Sequence, residues 1–308
     1  MPTSSHDKPI TVYAALAGNF LIALSKFVVA GLSGSSAMLS EGIHSLADTG
    51  NQGLLLLGIR LSKQPADETH PFGHGQELYF WSLIVAIVLF GIGGGLSFYE
   101  GVTHLFEPTT LADPTWNYVT LAIAAVFESA TLVIAYRELT RNSDETSVWR
   151  AFRASKDPSV FVVLMEDAAA LMGLLVAFLG IFLGHSLGLP IFDAIASLVI
   201  AGILMVVAVL LAYESRNLLL GESARSSLVE SIQHIVDSED GIVKARRPMT
   251  MHMGPREILL NMDLVFDQEL DSAQIAAAID RVERAIRQRH PEVKRIFLEA
   301  QTLADAKE

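Results

Sequence analysis

The chain has 308 residues, 51% of them hydrophobic, with a mean hydropathy of +0.41 and a formal net charge of −12. The acidic balance argues against nucleic-acid binding, which rests on basic side chains neutralising phosphates, and suits a protein that gathers cations. No cysteine is present, so disulfide frameworks and thiolate metal sites are excluded, and any metal must be held by oxygen and nitrogen.

A soluble domain of this size needs less apolar content, and the excess falls in continuous runs. Six of them, over 10–32, 37–61, 79–105, 116–139, 159–183 and 191–213, have the length a helix needs to cross about 30 Å of hydrocarbon. Without water, backbone groups must pair within the segment, and the runs do not alternate polar with apolar, so helices are expected rather than a barrel. The polar stretch 1–9 reads as a lead-in to the first span and not as a signal peptide. Connections one–two, three–four and five–six carry no Lys or Arg. Two–three and four–five carry Arg60, Lys63, Arg141, Arg150, Arg153 and Lys156. Basic loops stay in the cytoplasm, which places both termini there. A bacterial cytoplasmic membrane is the expected location.

From about residue 221 charged residues become frequent. Residues 226–236 have helical spacing, 258–266 alternate like a strand, 271–290 carry a stripe of Ile275, Ile279, Val282 and Ile286, and 293–298 read as a closing strand. The order helix, strand, strand, helix, strand predicts a small cytosolic α+β domain over 221–308, after a six-helix transmembrane domain over 1–220.

The second span contains His44 and Asp48 four residues apart, with Asn51 three further on, so all three share one helical face. A charged group at the bilayer centre costs about 2.5–3.5 kcal/mol on insertion scales, which marks such residues as functional. The bland alternative is a hydrogen-bond cluster that only packs helices. The fifth span holds Glu166 and Asp167, which point about 100° apart; one can join the His44–Asp48 face while the other meets a neighbouring helix or a water path. Imidazole and carboxylates suit Zn²⁺ and also accept Co²⁺, Fe²⁺ or Mn²⁺. Asp67, His70 and His74 fall within the short two–three connection, which reads either as an open metal site or as a solvated acidic turn.

The second-span pattern, the Asp-x-x-His-x-x-x-His connection, the six spans and the C-terminal α+β domain together resemble the cation diffusion facilitator family across nearly the whole chain. The resemblance implies a homodimeric exporter of divalent metal in a lipid bilayer, driven by proton antiport, with a ferredoxin-like cytosolic domain. Zinc is the implied cargo and protons the counter-ion. On that resemblance His44 and Asp48 take the second-span ligand positions. Asp167 takes a fifth-span position, because Gly173 follows it at the family's distance, and Asp67, His70 and His74 form the loop site. The other fifth-span position falls on Val163, which cannot bind metal, leaving Glu166, Asn51 or water to supply that ligand. The adjacent Glu–Asp pair is similar to a branch with some eukaryotic organellar members. His252, Asp263 and Glu299 are the candidates in the cytosolic domain, against the reading of an ordinary solvated surface.

Other polar positions take plainer readings. Lys26 is expected to snorkel, and Glu100 and Asp193 to sit near water at the outer ends. Glu128 lies deeper, either paired or on a proton path. His104 and His185 read as outer-surface residues, and His234 and His290 as ordinary members of the cytosolic domain. An intramembrane zinc hydrolase would need a base-bearing motif such as His-Glu-x-x-His, which is absent. A membrane protein that senses metal without transporting it remains as the rival.

Overall fold

The computed structural model describes residues 9–107, 113–141 and 156–301. Arg150 and Arg153, on which part of the orientation argument rests, lie outside the described residues, as does the stretch before residue 9. Each predicted span is a helix: α1 (Pro9–Ser33), α2 (Ser36–Ser62), α3 (Glu77–Phe106), α4 (Thr115–Arg141), α5 (Pro158–Leu187) and α6 (Ile191–Leu219). Local chemistry sets their ends. Gly34, at φ 69°, turns α1 into α2. Asp157 caps α5 by accepting from the Ser159 amide at 3.0 Å, with Pro158 in the first turn where no amide is needed. Gly188, at φ 67° in the left-handed region, ends the same helix. A π-helical segment, Leu89–Leu96, interrupts α3 where glycines cluster, and Gly94 lets it lie against Met205 of α6.

Among the described residues α3 to α6 are each apolar and long enough to cross a bilayer unaided, and α1 contributes the shorter apolar stretch Asn19–Ser33. Helix α2 does not qualify by composition, and its burial shows why. Ser36, Ser40, Glu41, His44, Ser45 and Asn51 are buried, whereas Leu46, Leu56 and Leu57 are exposed. It is an inside-out helix, with its polar stripe shielded by its neighbours and Leu46, Leu56 and Leu57 facing outward.

The chain divides into two compact units, one within 1–60 and 80–215, the other within 61–79 and 216–308. The connection between α2 and α3 thus belongs with the C-terminal residues. That second unit holds α7 (Ser226–Asp237), β1 (Ile242–Ala245), β2 (Met249–Gly254), β3 (Glu257–Phe266), α8 (Ser272–Arg289) and β4 (Val293–Gln301). The four-residue β1 adds a strand to the predicted order. β3 is the spine: β1 and β2 pair with it antiparallel, and β4 pairs with it parallel after the α8 crossover that a parallel connection requires. Ile258, Leu260, Met262 and Leu264 point from β3 to one face, where Val229, Ile232 and Val236 of α7 and Ala278, Val282 and Ile286 of α8 close the core. Asp271 and Gln274 form a reciprocal capping box that starts α8.

Candidate metal sites

Within the helical unit a cleft opens between α1, α2, α4 and α5. Asp48 enters from α2, Glu128 from α4, and Glu166 and Asp167 from α5; Asn19, Ser45 and Gln52 add polar atoms to its wall. Four carboxylates from three helices therefore converge in a layer where each is costly to place. Both members of the adjacent pair line the cleft, although they leave α5 about 100° apart, because the space between α2 and α4 collects both directions. Asn51 donates from Nδ2 to Glu166 Oε1 at 2.7 Å, fixing that carboxylate across to α2. Val163 lines the same cleft and offers no donor atom. Glu128, for which sequence gave no assignment, thus belongs with Asp48 and Asp167.

His44 is fully buried and does not line the cleft; its Nδ1 lies 3.4 Å from Asp48 Oδ1, near enough for an ion pair but outside hydrogen-bond geometry. Both His44 ring nitrogens, Asp48 Oδ1 and Asp167 Oδ2 lack hydrogen-bond partners. Buried polar atoms are normally paired, so this cluster of orphaned donors and acceptors is chemically unfinished and suits an exchangeable cation.

Two expectations for lone charges in spans are overturned. Lys26 does not snorkel: it is 0% exposed and donates to Glu41 Oε2 at 2.9 Å and to Ser45 Oγ at 2.7 Å. Asp193 is buried rather than wetted. It accepts from the Ser36 amide at 2.6 Å, the Ser35 hydroxyl at 2.6 Å and the Ser36 hydroxyl at 2.9 Å, which caps the N-terminus of α2 from α6. A carboxylate there complements the positive end of the helix dipole. Glu100 pairs with His104 one turn on, at 3.1 Å.

The second unit carries a separate cluster. Asp67, His70 and His74 present ligand atoms within 4.8 Å of one another. Asp67 Oδ1 accepts from the amides of Thr69 and His70 at 2.8 and 2.7 Å and from the Thr69 hydroxyl at 2.7 Å, which leaves Oδ2 facing His74 Nε2 at 3.5 Å. The Thr69 hydroxyl bond, followed by the His70 amide, pulls the Asp67 carboxyl down to about 2. Having donated to Asp67, Thr69 Oγ1 accepts from His70 Nδ1 at 2.9 Å, and Pro65 carbonyl accepts from His74 Nδ1 at 3.2 Å. Each ring thereby keeps a bare Nε2, the form a metal needs, with tautomer and orientation set by the partner of the other nitrogen. Gly75 holds the loop close to β2, where its Cα side faces the backbone of Met253 and Gly254, and Phe72 meets Phe297 edge-on at 6.4 Å.

The third candidate set does not assemble. Asp263 and Glu299 are opposed in the β3–β4 register, but Asp263 also meets Arg246 at 3.6 Å. His252 is opposite Ile258, five residues along β3 and about 17 Å away at the strand rise. Odd spacing also turns the two positions to opposite faces of the sheet. His252 is buried, so these residues do not share one ion.

Comparison with known proteins agrees with this architecture. The cation efflux transmembrane domain matches residues 12–220. The mouse mitochondrial proton-coupled zinc antiporter SLC30A9 is 31% identical over 94% of this chain and 58% of its own length. Metal tolerance protein C4 of Arabidopsis thaliana is 33% identical over 69% of this chain and 47% of its own. The Escherichia coli cation-efflux pump FieF is 29% identical over 90% of this chain and 87% of its own. The chain thus spans somewhat over half the length of the first of these relatives. With a family domain covering residues 12–220 and these relatives beside it, the chain belongs to the cation efflux family.

Proposed function

We propose that this protein exports a divalent metal, zinc first among the candidates, from the cytoplasm in exchange for protons, with the cleft between α2, α4 and α5 as its transport site. The observation that carries the reading is the convergence of Asp48, Glu128, Glu166 and Asp167 in a cleft of apolar helices, with orphaned His44 nitrogens beside it. Asp48 and Asp167 are direct ligands and His44 joins them from the same face of α2. Glu166, already engaged by Asn51, serves as an outer partner or proton acceptor, and Glu128 offers the oxygen that Val163 lacks. A single imidazole among carboxylates accepts Zn²⁺ and also Mn²⁺, Fe²⁺ or Co²⁺.

Coupling follows from shared sites. A carboxylate or imidazole binds a proton or a metal, so loading the ion expels protons and reprotonation expels the ion. Asp67, His70 and His74 form a regulatory site on the loop, where an ion keeps its access to water. The zinc and proton coupling named for the mouse relative support the cargo and the counter-ion. The working unit is a homodimer assembled through the C-terminal domain, with both termini cytoplasmic.

The deciding experiment is flux by purified protein in proteoliposomes, run against Zn²⁺, Mn²⁺, Fe²⁺ and Co²⁺ with an imposed pH gradient. Zinc-dependent uptake accompanied by a counter-flow of protons is expected. Binding without flux for every metal would instead identify a metal sensor, and flux indifferent to the pH gradient would identify a uniporter.

A further inference from the structure

The buried ion pair between α1 and α2 does more than join two helices. Lys26 and Glu41 are both fully buried, with their charges 2.9 Å apart. Two apolar side chains would join the helices at lower cost, because desolvating both charges offsets most of their attraction. The placement of the pair is asymmetric. Lys26 also donates to Ser45 Oγ at 2.7 Å, and Ser45 forms part of the cleft wall one turn from Asp48. Lys26 itself is not part of that wall, and neither is Glu41. Glu41 lies against α5 at Gly173, where a Cβ would collide with Glu41 Oε1. Gly173, which in sequence is a mark of register, therefore has a physical reason: bare backbone makes room for a carboxylate. The pair is a dipole whose positive end reaches the cleft wall through Ser45.

We propose that Lys26 is a built-in cation of the transport cleft, held at its wall by Ser45 and Glu41, which weakens the hold of the carboxylates on a divalent ion so that the ion can leave. This rests on the reading of the cleft as the transport site. Asp48, Glu128, Glu166 and Asp167 can place more negative charge around one ion than its two positive charges neutralise. In a medium of low dielectric such a site would trap its cargo. A fixed ammonium nearby opposes the ion through space without occupying a ligand position, and when the ion departs it offsets part of the charge left behind. Lys26 is in this sense a positioning and affinity-setting residue, not a ligand.

The test is zinc binding by titration calorimetry, with zinc flux, for the full-length protein and Lys26→Met, Lys26→Arg, Glu41→Gln, the Lys26→Met/Glu41→Gln double variant and Asp48→Asn. Lys26→Met is expected to tighten binding about tenfold and to slow turnover. Lys26→Arg keeps both near the wild-type values. Glu41→Gln leaves the ammonium uncompensated and is expected to weaken binding, and the double variant returns towards wild type. A pair that only packs helices would move both single variants in the same direction, or neither. Either result, with binding at the cleft still abolished by Asp48→Asn, overturns the proposal and leaves the transport site standing. If Lys26→Met does not fold, the weakening expected of Glu41→Gln and its reversal in the double variant carry the test. Zinc affinity unchanged by Asp48→Asn would instead overturn the transport-site reading beneath it.

Discussion

The cleft and the loop use the same side-chain types in opposite ways. In the loop the donors are arranged in advance: Thr69 and two amides hold Asp67 Oδ1, and Thr69 and Pro65 fix the tautomers of His70 and His74. Asp67 is 51% exposed there, so water can replace an ion at little cost. In the cleft Asp48 is 13% exposed, and His44 beside it not at all; four side-chain atoms of His44, Asp48 and Asp167 lack hydrogen-bond partners. A polar atom orphaned in an apolar layer is expensive, so the cleft gains when a cation or proton arrives. On the proposed reading, one region would offer an ion a fixed geometry and the other would exchange what it holds.

The sharpest way to break this contrast is to neutralise Asp48. Asp48→Asn is expected to reduce zinc flux by at least 100-fold in proteoliposomes at equal reconstituted protein, with helix content unchanged by circular dichroism. Wild-type flux would show that the ion passes elsewhere.

Next in size are the adjacent carboxylates. Asp167→Asn should remove most zinc affinity by calorimetry, since a neutral amide is a poor partner for a divalent cation inside the membrane. Glu166→Gln keeps an acceptor for Asn51, so binding should persist while the pH dependence of flux changes with one titrating group gone. The reverse pattern would exchange the two roles.

The loop should matter less. Replacing Asp67, His70 and His74 by Ala is expected to shift the apparent affinity for transport several-fold without abolishing flux. Complete loss, with the protein still folded, would bring this loop into the ion's route. The pH response separates its ligands. The folded-state pKa of Asp67 is depressed to about 2, so its contribution is present above the unfolded value near 4 and is lost as pH falls through about 2. Between pH 7 and 5 Asp67 stays ionised. Zinc binding to the loop, measured in an Asp48→Asn background, should therefore show no step from Asp67 in that range. Thr69→Val removes the hydroxyl that holds both Asp67 and His70, and a two- to five-fold weaker loop affinity is expected.

The smallest effect concerns the loop's support. Gly75→Ala would drive a methyl group into the Met253 carbonyl, and overpacking of that kind costs about 1–3 kcal/mol. A lower melting temperature for the C-terminal unit is expected, with zinc flux largely retained.

Much of this was legible in sequence because it is periodic or local. Apolar run length set the six helices, and i, i+4 spacing put His44 and Asp48 on one face of α2. The Asp-x-x-His-x-x-x-His spacing placed the loop ligands within reach of one another, since a short turn closes on itself. Resemblance supplied Asp167. What spacing could not supply is contact between distant segments. Lys26 looked like a snorkelling residue and Asp193 a wetted one, because a solitary charge in a span carries no mark of its partner 15 or 157 residues away. Glu128 had no assignment until α4 was set against α5, and His252 was grouped with Asp263 and Glu299 until strand register put them about 17 Å apart on opposite faces.

The sequence by itself therefore determined the helices, the shared face of His44, Asp48 and Asn51 on the second span and the chemistry of the candidate ligands, all of which follow from residue type and the helical repeat. Tertiary structure alone decided which charges meet. It paired Lys26 with Glu41 across α1 and α2, seated Asp193 on the N-terminus of α2, and joined Glu128 to Asp48, Glu166 and Asp167. In a membrane that decision is energetic as much as geometric. A charge in hydrocarbon must find a partner, a proton or an ion, and which of these it finds depends on the helix packed beside it.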